Sequence, residues 1–83
     1  MSAPHVYPNA YYRLRTSQVN DLIRSQGLKK WWVAEFAGVH KTTLRRWLNG
    51  RIGKVRGIHV ENLARVLTTP SAGIADKLTP TRH

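Results

Sequence analysis

Gly27, Gly38 and Gly50 each close a short run in which apolar residues recur at helical spacing, and this punctuation limits the chain to a set of short helices. Before Gly27, Val19, Leu22 and Ile23 fall at i, i+3, i+4 behind Thr16 or Ser17 as an N-cap, predicting a helix over 17–26. A second is predicted over 29–37, ended by Gly38, which can take the left-handed conformation of a tight helix exit. A third, over 41–48, carries Leu44, Trp47 and Leu48 on one side and stops at Asn49-Gly50. Past a loop between Gly53 and Gly57, Val60, Leu63, Ala64 and Leu67 predict a helix over 58–68, closed before Pro70. No strand pattern competes, so the expected fold class is all-α, a compact four- to five-helix bundle. Residues 1–15, with Pro4, Pro8 and the tyrosines Tyr7, Tyr11 and Tyr12, read as an N-terminal arm. Residues 16–68 read as the domain, and 69–83 as a weak tail with one turn around Ile74–Leu78.

A chain of 83 residues has room for one small core. Cysteine is absent, so neither disulfides nor thiolate metal sites staple the fold, and packing alone must hold it. Fourteen Lys and Arg face only Asp21, Glu35, Glu61 and Asp76, a formal net charge of +10, which favours a polyanionic partner. The cations Arg24, Lys29, Lys30, Lys41, Arg45, Arg46, Arg51, Lys54 and Arg56 crowd the segment with helical patterning, where Glu35 is the one acid. His5, His40, His59 and His83 are scattered and the carboxylates few, which leaves no acid/base pair or ligand cluster of workable spacing. The expectation is a non-enzymatic protein without cofactor, metal or small-molecule ligand. No basic-then-apolar leader opens the sequence, and no apolar run approaches bilayer length. Gly38 also interrupts any amphipathic stripe over Leu28–Leu48. A soluble, cytoplasmic, nucleoid-associated protein with no membrane partner is therefore expected.

The spacing of Ala34, Gly38 and Leu44 carries the most information. Two helices that cross steeply at a three- or four-residue turn need a small side chain where their axes approach, which Ala34 supplies, and a permissive backbone at the bend, which Gly38 supplies. Val39 and Leu44 can then plug the angle between them. With Leu44 at the centre of the buried face, a 100° step per residue places Thr42, Arg45, Arg46 and Asn49 on the far side. An α-helix fits the major groove of B-form DNA, where Arg bonds guanine through O6 and N7 and Thr can donate, accept or touch a thymine methyl.

The run from Leu28 through Lys30, Ala34, Gly38-Val39, Leu44 and Trp47-Leu48-Asn49-Gly50 to Arg51 resembles the lambda-repressor and Cro-like helix-turn-helix family, also called the XRE family. Leu63-Ala-Arg-Val-Leu67 is similar to its closing helix. The resemblance implies duplex DNA binding by a transcriptional regulator, the second motif helix in the major groove, and dimers on palindromic operators. It implies base reading by Lys41, Thr42 and Arg46, with Thr43 and Arg45 at the groove edge. Lys30, Asn49 and Arg51 fall where contacts to the DNA backbone are made, and the loop cations Lys54 and Arg56 add to them. With no effector domain in evidence, promoter occlusion, hence repression, is the favoured mode.

Two departures from the family pattern bear on this reading. Lys29 and His40 stand where a hydroxyl usually caps each motif helix, so both starts carry a basic residue against the positive dipole end, at about 1 kcal/mol per helix. His40 is also placed to meet phosphate. Trp31, Trp32 and Phe36 occupy positions usually charged, and must be covered by the tyrosine arm, by a second subunit, or by the domain's own core. The residues leave two alternatives open: an antitoxin-type module that uses the same fold to bind a protein, and an RNA-binding protein.

Overall fold

The structure, a computed structural model, describes residues 7, 9–51 and 53–78; the expectations that concern Pro4, His5, Pro8 and His83 lie outside them. Helices form where glycine-punctuated periodicity puts them: α1 Thr16–Ser25, α2 Lys30–Ala37, α3 Lys41–Leu48 and α4 Gly57–Val66. Between the segments read as arm, loop and tail, however, runs a three-stranded antiparallel sheet: β1 Tyr11–Leu14, β2 Val55–Arg56 and β3 Ala75–Lys77, in the order β2-β1-β3. The fold is therefore a small mixed α/β one, and the all-α expectation is corrected. A 3₁₀ turn at Ser71–Gly73 leads into β3, so the turn expected around Ile74–Leu78 is largely strand.

The sheet exists because the two ends of the described chain complete the core. Tyr12 and Leu14 of β1, Val55 of β2, and Ile74 and Ala75 at β3 are buried with Val19, Val33, Leu44, Trp47, Leu63 and Leu67 in one apolar cluster. β1 alternates exposed and buried residues over Tyr11–Leu14, as a half-buried strand must. Register pairs Tyr11 with Arg56 and Tyr12 with Val55 on one side, and Arg13 with Asp76 and Leu14 with Ala75 on the other. Further backbone bonds, Arg15 N–H to the Ile74 carbonyl at 2.7 Å and Leu78 N–H to that of Tyr11 at 3.0 Å, extend the β1–β3 seam.

Gly57 is where the start of the chain meets α4. Its N–H donates to the Ala10 carbonyl at 2.8 Å, and a Cβ there would collide with the Tyr7 carbonyl and lie 3.0 Å from the Tyr12 ring. Only a residue without a side chain lets the two segments approach this closely.

Side-chain amides hold the helices in register by meeting carbonyls that helix ends leave unpaired. Asn20 Nδ2 on α1 donates to the Leu48 carbonyl at the end of α3 at 3.4 Å, Asn62 on α4 reaches that of Ala37 at 3.5 Å, and Gln26 meets that of Leu67 at 2.7 Å. No helix among the described residues is long and apolar enough to cross a membrane.

Candidate nucleic-acid interface

Two eight-residue helices, α2 and α3, are separated by Gly38, Val39 and His40. Gly38 adopts φ 75°, ψ 29°, and the Val39 N–H turns back to the Ala34 carbonyl at 3.0 Å, closing α2. This left-handed exit would strain any residue bearing a Cβ. Ala34 and Leu44 are buried and Val39 is half-buried, so the positions expected to fill the angle between the helices do so.

α3 is pinned from beneath. Leu44 and Trp47 are 1% and 3% exposed, Leu48 is buried beside them, and the helix packs on both α1 and α2. Each such side chain contributes about 2–3 kcal/mol by leaving water. Opposite this face, Lys41, Thr42, Arg45, Arg46 and Asn49 are exposed, while Thr43 is half-buried. Thr42 and Arg46 on the helix and Asn49 at its C-cap follow one another at i, i+4, i+7, which makes a ridge about 10 Å long.

None of Lys41, Arg45, Arg46 and Arg51 has an ion pair among the described residues. Two of the four acids are committed elsewhere: Asp21 lies 3.6 Å from Arg24, and Asp76 grips Arg15. The ridge thus keeps its positive charge unneutralised among the described residues.

The helix starts differ from expectation in one respect. Lys29 and His40 are indeed the N-cap residues, both extended, and Lys29 offers no acceptor. His40, however, turns its ring back so that Nδ1 accepts the Thr42 N–H at 3.2 Å. The imidazole does the work of the missing hydroxyl, which relieves the penalty expected at α3.

Of the aromatic residues on α2, Trp32 is half-buried and its ring lies 4.6 Å from that of Phe36, tilted by 40°. Trp31 and Phe36 are 53% and 58% exposed. The described tyrosines lie at the sheet: Tyr12 is buried, Tyr11 pairs across from Arg56, and Lys54 and Lys77 sit over the Tyr11 and Tyr7 rings at 5.1 and 4.6 Å.

Lys30 is exposed at the start of α2, and Lys54 and Arg56 are exposed at β2. The structure adds a cation that the sequence reading left in the arm: Arg13, exposed on β1. Its signal was the alternation in Tyr11-Tyr12-Arg13-Leu14, overlooked beside the prolines. No protein-family model matches the chain, and neither does any curated protein or solved structure.

Proposed function

We propose that the chain binds duplex DNA sequence-selectively as a lambda-repressor-like helix-turn-helix regulator, acting by promoter occlusion. The observation that carries this is the outward ridge of α3, cationic and without an ion pair among the described residues, over an apolar underside buried in the core. Lys41, Thr42 and Arg46 read base edges in the major groove. Lys30, His40, Thr43, Arg45, Asn49 and Arg51, with Lys54 and Arg56, hold the frame on phosphate. A homodimer on a palindromic operator follows from the family resemblance, with the exposed Trp31 and Phe36 as its contact.

That same patch favours a second reading, in which the fold serves as an antitoxin-type module and the aromatic surface meets a partner protein. Selection of bound duplexes from a random pool tests the first reading: an enriched palindrome supports it, and an unenriched pool refutes it. In a base-substitution scan, Arg46→Ala should cost about 1–3 kcal/mol and relax preference at one position. Lys30→Ala should weaken all sequences alike and flatten the salt slope by about one unit.

A further inference from the structure

We propose that the outer face of the three-stranded sheet is a second DNA-backbone surface, gripping phosphates that flank the groove entered by α3. The inference rests on the duplex-binding reading above. Directly opposed residues of an antiparallel pair share one side of a sheet. Tyr11 opposite Arg56, and Arg13 opposite Asp76, therefore lie on one face, and all four are exposed.

The one carboxylate of this face is already occupied. Arg15 donates to both Asp76 oxygens, from Nε at 2.9 Å and from Nη2 at 2.6 Å. Arg13 and Arg56 have no ion pair or side-chain hydrogen bond among the described residues, and Lys54 Nζ hangs over the Tyr11 ring. Arg13, Arg15, Lys54 and Arg56 against Asp76 leave an excess of three positive charges on a surface only three short strands wide.

Charge selects a polyanion, and the shortage of rings selects a duplex. Single strands are held on rows of stacking aromatics. Here Tyr11 is the aromatic residue among the face's paired positions, and Lys54 sits over its ring. A phosphate backbone needs cations and no stacking. The surface is also tethered close to α3 along the chain: Arg51 follows that helix, and three residues on, at most about 11 Å of chain, comes Lys54, with no acid between them.

The test is anisotropy titration of a mixed-sequence duplex of about 21 base pairs, two helical turns, across a sodium chloride series. Wild type is compared with the double variant Arg13→Gln/Arg56→Gln and with Arg46→Gln. The double variant should reduce the slope of log affinity against log salt by about 1.8 for each protomer bound, nine-tenths for each phosphate released. Its base preferences should stay intact, whereas Arg46→Gln loses preference at one position. An unchanged slope in the double variant, beside normal duplex binding by wild type, overturns the sheet surface and with it the phosphate contact given to Arg56, and leaves base reading by α3 standing. A wild type that does not bind duplex overturns both. Weakened binding of oligo(dT) with an unaltered duplex slope also overturns the proposal, assigning the face to single strands. Should the double variant melt early, the Nε–H resonances of Arg13 and Arg56 in wild type supply the answer: they shift on adding duplex, and unmoved resonances refute the contact.

Discussion

Lys29→Asp should stabilise the protein and weaken its hold on DNA together. Lys29 already has the extended backbone of an N-cap, φ −92° and ψ 140°, so a shorter acceptor needs no rearrangement. The Trp31 and Trp32 N–H groups at the start of α2 receive no side-chain cap, and a carboxylate at position 29 can accept from either. A new cap contributes about 1 kcal/mol. Replacing a cation by an anion beside the positive helix end adds roughly 0.5 kcal/mol at an exposed site in salt. For a domain of this size, a total near 1.5 kcal/mol raises Tm by roughly 6–12 °C. Lys29→Ala removes the charge but supplies no acceptor, and should recover only the smaller part. Melts of the three proteins by circular dichroism, with duplex titrations alongside, read both arms. Equal melting of the Ala and Asp variants would show that the cap contributes nothing. Unweakened binding of the Asp variant would place the start of α2 away from phosphate.

Thr68 takes the left-handed position after α4, φ 54°, that glycine fills after the other three helices. Being exposed, it loses little packing on removal, and Thr68→Gly should raise stability by about 1 kcal/mol, read as a higher denaturation midpoint. Gly57→Ala should cost about 1–3 kcal/mol as its Cβ meets the Tyr7 carbonyl, with faster exchange of the Gly57 amide that Ala10 now accepts; a neutral change would refute the close approach. The hydrogen bonds from Arg15, with the fields of Arg15 and Arg13, hold the Asp76 carboxyl below the usual carboxylate range despite some desolvation. Its stabilising effect is thus present above the unfolded-state value near pH 4, ~3.9, and is lost as pH falls through the lower folded value. Asp76→Asn should therefore melt below wild type at pH 7 and converge with it in acid, and a gap of constant size would refute the ion pair's contribution.

The helices were legible because their signals are local: the repeats around Leu22 and Ile23, around Leu44 and Trp47, and around Leu63 and Ala64 lie within a turn or two of each other. The sheet was not, because β2 has two residues and β3 is Ala-Asp-Lys, a sequence with poor strand preference that pairs only because β1 presents a template. The partners are also far apart in sequence, as with Arg13 and its strand partner Asp76, and the Arg15–Asp76 bond beside them spans 61 positions. The exposed ridge of α3 could be read from a 100° rotation per residue, since one buried anchor, Leu44, fixes the whole face. The cap at its start could not: histidine is outside the usual set of acceptors, and its role depends on a ring rotation that no spacing encodes.

The central strand precedes the helices along the described chain and is completed only after them. Among the described elements β1 emerges before the four helices, yet its neighbours follow some forty and sixty residues later. Until Ala75–Lys77 appears, Tyr12 and Leu14 have an open edge where backbone groups lack partners. The helices, built from contacts within short stretches, can assemble meanwhile, and closure of the sheet is expected to come after them. A nascent or shortened form that lacks β3 would display the α3 ridge while leaving a sticky edge exposed, so solubility should fail before the helical content does.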